Sequence, residues 1–291
     1  RRGDRGNAVT KTRLLAALIM APVAILTVLF APTPILAALS AVVFLVALWE
    51  WLKLTEIEDT LARTVLLACN VALMAALVWG SRSAQGGSLA LFQLTVLIGV
   101  AWWCVALLWL RHYDFASDHD GHARVFKLAA GTLAVVPAWC ALGLIHATQP
   151  NGHRWLLLAL CLVWAADTGA YFTGRRFGGR WFGGRKLAPR ISPNKTLEGL
   201  VGGLALAMLV ALVGAPLAGA QAAQLPGIAL VALATAGFSV VGDLFESLLK
   251  RHVGAKDSGD LIPGHGGVLD RIDSVLAALP VFALGKAWLG F

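Results

Sequence analysis

A chain of 291 residues that is 58% hydrophobic and only 14% charged, with a mean hydropathy of +0.74, is not a soluble globule. It reads as a polytopic membrane protein. The formal net charge of +8 would suit a nucleic-acid binder, but the basic residues are spread between apolar runs. They act there as topology determinants and lipid-headgroup contacts, and no nucleic-acid partner is expected.

Apolar runs long enough to span a bilayer occur at 14–30, 35–52, 65–80, 89–110, 126–147, 155–173, 199–219, 226–246 and 272–290. The expectation is therefore an all-α membrane protein of about nine transmembrane helices. The basic start and the first run imitate a signal peptide, but no small-x-small cleavage site follows the run closely, so a retained anchor is expected. Placing the N-terminus inside puts all 24 Lys and Arg residues on inside segments except Arg82, Arg154 and Lys286. That bias favours N-terminus in and C-terminus out. Two parts are expected: five N-terminal spans over 1–150, and the C-terminal helices with their long inner loops over 151–291.

Several features on the way have modest readings. Glu50, between Trp49 and Trp51 near the inner end of the second span, reads as a cap or a snorkelling side chain, with a site role as the alternative. Many of the eleven Trp residues sit near expected span ends and read as an interfacial belt. Cys69, Cys104, Cys140 and Cys161 lie inside apolar runs without CxxC spacing and read as small core residues. The loop at 111–126 contains Asp120-Gly121-x-Ala123-Arg124, one residue short of the core of CDP-alcohol phosphotransferases, and reads as a solvated loop; His112, His119 and His122 in it lack ordered spacing. Gly202-Gly203 and Gly214 suit close helix packing.

The second long inner loop follows Asp167 and ends in Ser192-Pro193-Asn194-Lys195-Thr196-x-Glu198. Its Gly/Arg spacing is not a P-loop, because no Gly-Lys-[Ser/Thr] occurs. It either grips anionic lipid as a basic juxtamembrane loop or contacts nucleotide and lipid phosphates.

Charge is concentrated from Gly242 to Asp273, where Asp243, Glu246, Asp257, Asp260, Asp270 and Asp273 sit among Lys250, Arg251, Lys256, His265 and Arg271. Charge bracketed by membrane spans is costly to place and marks function. If the preceding run continues as a helix, Asp243, Glu246, Ser247, Lys250 and Arg251 form one polar stripe. His265-Gly266-Gly267 lets backbone N–H groups approach an anion, and Asp270 and Asp273 recur at i, i+3. Carboxylates converging with Lys and Arg are what a Mg²⁺–polyphosphate site requires.

The series Ser247-x-x-Lys250-Arg251, Lys256-Asp257 and Pro263-x-His265-Gly266-Gly267-x-x-Asp270-Arg271-x-Asp273 closely resembles the pattern of phosphatidate cytidylyltransferases (CDP-diacylglycerol synthases). Asp167 and the Ser-Pro-Asn-Lys-Thr-x-Glu run also look like elements of that family, so the resemblance covers about 160–290. The resemblance implies that CTP and phosphatidate give CDP-diacylglycerol and pyrophosphate, for phospholipid synthesis, in a bacterial inner membrane with the site facing the cytosol. It implies Mg²⁺ (or Mn²⁺) on Asp243, Asp270 and Asp273. Ser247, Lys250 and Arg251 complete the catalytic group. Asp167, Asn194, Lys195, Glu198, Lys256, His265, Gly266, Gly267 and Arg271 would bind substrate. All of these are expected to meet in one pocket at the inner ends of the eighth and ninth spans. A CTP-dependent enzyme acting on another lipid phosphate or a polyprenol is the nearer alternative, and a secondary transporter the more distant one. Oligomeric state, a homodimer among the options, is left open.

Overall fold

The computed structural model describes residues 21–57, 59–81, 88–118, 120–262 and 266–291. Its elements are α1 (Ala21–Phe30), α2 (Thr33–Leu54), α3 (Thr60–Gly80), α4 (Ala90–Trp109), α5 (Gly121–Ala147), α6 (Gly152–Phe177), the hairpin β1 (Lys186–Ala188) and β2 (Ser192–Thr196), α7 (Leu197–Ala218), α8 (Leu225–His252) and α9 (Leu269–Leu289). Among the described residues, the eight helices α2 to α9 are long and apolar enough to cross a membrane. The chain is an all-α integral membrane protein. Helix α1 is the described part of the first expected span, whose beginning lies outside the described residues.

Helix α9 lies at the centre, packed by α8, α5, α4, α6 and α2. Burial is deepest in α5 and α9, where 67% of the apolar window is buried, and shallowest in α3 at 11% and in α4 and α7 at 22%. The outer helices keep Leu and Val on their exposed faces, as a lipid-facing surface requires. Helices α6 and α7 pack closely through small residues. A Cβ on Gly203 would sit 2.6 Å from the Ala166 carbonyl oxygen, and one on Gly214 would sit 2.7 Å from Leu158.

Two expectations change here. Helix α5 begins at Gly121, not 126, because Asp120 caps it, its Oδ1 accepting the Ala123 N–H at 2.7 Å. The Asp-Gly-x-Ala-Arg run is therefore a helix start, and Lys127 is wholly buried inside the bundle. The tryptophans are also only partly a belt. Trp79 and Trp288 are exposed, but Trp51, Trp103 and Trp139 are buried and donate their indole N–H to the carbonyls of Lys127, Leu276 and Ala37 on neighbouring helices. In an apolar interior such bonds tie helices together at fixed heights.

The loops that the charge bias put on one side do meet at one end of the bundle. Arg190 at the hairpin turn pairs with Asp114 in the α4–α5 loop at 2.8 Å and lies over the Tyr113 ring. His252 at the end of α8 hydrogen-bonds the Tyr113 carbonyl at 2.7 Å, and Arg251 donates to the Ile191 carbonyl at 3.1 Å.

Candidate active site

Helix α8 runs on to His252, so its polar stripe forms as the spacing predicts. Ser247 Oγ donates to Asp243 Oδ1 at 3.4 Å, and Lys250 Nζ pairs with Glu246 Oε2 at 2.6 Å, each one turn apart. Packing fixes the height of this stripe. Phe245, wholly buried, is surrounded by Trp51, Trp102, Trp103 and Trp109 with ring centroids 5.2–6.0 Å away. The residue next to it is thus held against the bundle's centre, which is why Glu246 is buried.

Lys250 also reaches across to α9, its Nζ 2.6 Å from Asp270 Oδ1. The side chains are 13% exposed for Lys250, 2% for Glu246 and 7% for Asp270. Removing one member of such a buried set costs about 3–5 kcal/mol, because the remaining charge is stranded. One cation thus faces two carboxyl groups. Among the described residues, Glu246 Oε1 is buried with no donor from Lys, Arg or backbone N–H.

The second oxygen of Asp270 organises the loop between α8 and α9. Asp270 Oδ2 accepts the Gly267 N–H at 2.8 Å, the Ser258 N–H at 3.0 Å and the Ser258 hydroxyl at 3.0 Å. Gly266 turns the chain at φ +81°, and a Cβ there would lie 2.7 Å from the same oxygen. The backbone groups of Gly266-Gly267 are thus spent on holding Asp270. His265 falls outside the described residues.

One turn along α9, Asp273 is buried and lies within electrostatic reach of Asp243, Glu246 and Asp167. Gly242 lets α8 and α9 meet backbone to backbone at this level, against the Asp273 carbonyl. Lys195, delivered by β2, pairs with Asp243 Oδ2, and Asp167 on α6 is within electrostatic reach of both. Four elements, α6, β2, α8 and α9, therefore supply one cluster: Asp167, Lys195, Asp243, Glu246, Lys250, Asp270 and Asp273.

Other expected site residues sit around this cluster. Asn194, Lys256 and Arg271 are exposed at the same end, and Arg251 is committed to the hairpin. Glu198 is wholly buried at the start of α7. Its Oε1 accepts the backbone N–H groups of Gly179, Trp181 and Phe182 at 3.0, 3.2 and 3.2 Å. It shapes the Gly/Arg loop, occupying the place an external anion would take, and leaves Arg175, Arg176, Arg180 and Arg185 exposed. At the rim, the Arg190 guanidinium holds the Asp114 carboxyl below the usual carboxylate range.

Two cavities flank the bundle, and neither is lined by Asp243 or Asp270. One of about 410 Å³ adjoins the α8–α9 loop and is lined in part by Lys53, Glu56, Arg63, Asp257 and Ser258. The other, about 540 Å³, lies at the opposite end, beside Trp155 and Lys286. The acids and bases come together as an ion-paired cluster, not as the walls of one of these cavities. Spacing alone gave no sign of the part that Glu50 plays: it is 3% exposed, and its Oε2 accepts the Leu269 N–H at 2.8 Å and the Ser258 hydroxyl at 3.1 Å.

The protein is thus a helical membrane bundle with acids and bases gathered at one end. The sequence model of the Cytidylyltransferase family matches residues 11–287. Similar proteins include the phosphatidate cytidylyltransferase of Pseudomonas aeruginosa, 37% identical over 94% of this chain and 95% of its own. That of Haemophilus influenzae is 37% identical over 94% and 97%, and that of Brucella suis 43% identical over 54% and 55%. The chain belongs to the cytidylyltransferase family.

Proposed function

We propose that this protein transfers the cytidylyl group of CTP to phosphatidate, giving CDP-diacylglycerol and pyrophosphate for phospholipid synthesis. The agreement over 94% of the chain with two relatives of that name carries the reading. In the reaction a phosphatidate phosphate oxygen bonds to the α-phosphorus of CTP while the bond from that phosphorus to the β-phosphate oxygen breaks. The nucleophile is already anionic near neutral pH, so no strong general base is needed. Catalysis comes from aligning two polyanions and balancing the charge that develops.

The residues take the following roles. Lys195 and Lys250 already hold carboxylates, and exchange that contact for substrate phosphates as the nucleotide enters. Lys256 and Arg271, exposed beside them, add positive charge, as do the arginines of the 178–185 loop. Ser247 donates a hydrogen bond and orients Asp243. Gly266 and Gly267 keep Asp270 in position, with Asn194 at the margin of the site.

A divalent cation suits this donor set. The carboxylates outnumber the lysines, Glu246 Oε1 is buried with no donor from Lys, Arg or backbone N–H, and all ligand atoms are hard oxygens. Among the described residues no three acidic, His or Cys side chains form a closed ligand set, which fits an ion held jointly by protein and substrate. Asp243 and Asp273 would hold Mg²⁺ or Mn²⁺, with Asp270 joining by giving up its Lys250 bond. The ion would supply charge neutralisation on the triphosphate.

The location proposed is a bacterial inner membrane with the cluster facing the cytosol, supported by the bias of Lys and Arg in the sequence toward the segments on that side of the spans. The deciding experiment incubates the detergent-solubilised full chain with phosphatidate, radiolabelled CTP and Mg²⁺. Label is expected in the lipid fraction, with pyrophosphate released, and EDTA abolishes both. Absence of labelled lipid defeats the proposed reaction, and turnover that persists in chelator removes the metal from it.

A further inference from the structure

Helix α9 opens without help from its own flank. Val268 stands at the N-cap with no side-chain hydrogen bond, although the first N–H groups of a helix need partners. The partner of Leu269 comes from α2, where Glu50 Oε2 accepts its N–H at 2.8 Å. The carboxylate also sits where the helix dipole favours negative charge. The same Glu50 oxygen is 3.1 Å from Ser258 Oγ, which is 3.0 Å from Asp270 Oδ2. A hydroxyl has one proton, so Ser258 serves one carboxylate at a time and links the two.

Glu50 stands on a rigid base. Its neighbour Trp51 is wholly buried, donates to the Lys127 carbonyl on α5 at 2.9 Å and stacks on Phe245 of α8 at 5.9 Å. The fit on the loop side is close as well, since a Cβ on Gly259 would lie 2.6 Å from Glu50 Oε1. The start of α9 is thus gripped from α8 by Lys250 through Asp270 and from α2 by Glu50, which also holds Ser258 of the loop.

We infer that Glu50 is a positioning residue for cytidylyl transfer, fixing the α8–α9 loop and the start of α9 so that Asp270 and Asp273 face the nucleotide. This rests on the function proposed above. It gives the N-terminal helices a part in the reaction without contact with substrate.

The test compares wild type, Glu50→Gln and Glu50→Asp as full chains in nanodiscs, by steady-state kinetics and by amide hydrogen exchange without substrates. A displaced catalytic group costs on the order of 10²-fold in rate. Glu50→Gln is therefore expected to lower kcat by about that factor, with KM for CTP changed far less. Glu50→Asp, which keeps the carboxylate, recovers part of the loss. Exchange should quicken selectively over 257–262 and 266–271 in Glu50→Gln and stay unchanged in α5. Wild-type kcat and wild-type exchange in Glu50→Gln overturn the inference. So does exchange that rises uniformly along the chain in both variants, which marks a general structural role. If the wild type itself transfers no cytidylyl group, the proposed reaction fails, while the exchange comparison still decides whether Glu50 holds the loop.

Discussion

Two glycine-rich loops meet at the same end of this bundle, and each is wound around one carboxylate. Asp270 gathers the N–H groups of Ser258 and Gly267, and Glu198 gathers those of Gly179, Trp181 and Phe182. The difference lies in the second oxygen. That of Asp270 faces Lys250, and through it the acids of α8. That of Glu198 is buried with no hydrogen-bond partner. One carboxylate is thus joined to the charged cluster where the chemistry is proposed, while the other only shapes a loop whose arginines point to solvent. A glycine-rich loop beside a phosphate site need not bind phosphate with its own backbone. Here both loops have committed N–H groups to internal carboxylates, so in the proposed reaction anion binding falls mainly to Lys and Arg side chains.

That contrast is most directly broken at Asp270. Asp270→Asn is expected to lower turnover by about 10³-fold, the scale of losing a preorganised electrostatic group, while the protein still inserts. The amide cannot compensate Lys250 and cannot serve a divalent ion. Labelled CTP incorporation into lipid measures it, and a near-normal rate would exclude Asp270 from the machinery. Glu198→Ala sharpens the other side. Three backbone N–H groups lose their acceptor, so the 178–185 loop loosens and its arginines disperse. The expected result is a rise in KM for CTP or phosphatidate of about tenfold, as for loss of a binding contact, with kcat changed little. A fall in kcat as deep as that of Asp270→Asn would show that the two hubs do the same work.

How legible each hub was depends on the distance over which it is built. The α8 stripe was legible because a helix has a fixed period: given that α8 continues to His252, Asp243 must meet Ser247 and Glu246 must meet Lys250. Asp270 and Asp273 could likewise be placed on one face. Glu198 stood out in the sequence as a candidate, but its observed part as a loop hub did not, since that depends on how the residues before β1 curl back over the start of α7. No sequence period encodes that. Glu50 was the least legible, because its partners Ser258 and Leu269 lie 208 and 219 residues away. Only the packing of α2 against α5 and α9 brings it there. The buried tryptophans were misread as a belt for a related reason. Composition places Trp at span ends, but whether the indole faces lipid or a neighbouring carbonyl is decided by tertiary packing.

The smallest effect belongs to the rim, where an ion pair is present without burial. Arg190 contacts Asp114 through two nitrogens at 2.8 and 3.2 Å, yet both side chains are more than half exposed. Water screens such pairs, and their net contribution is small. Its pH sense is fixed nonetheless. Since Arg190 depresses the Asp114 carboxyl, the pair's contribution is present above the ordinary aspartate range and is lost as pH falls through the lowered value. Arg190→Ala should therefore leave turnover and melting temperature at neutral pH within the scatter of the measurement. It should also remove a shallow loss of stability on acidification, seen by comparing melts of both proteins between neutral pH and pH below the aspartate range. A large drop in turnover would instead mean that the hairpin turn must stay docked on the α4–α5 loop for Lys195, carried by the next strand, to reach Asp243.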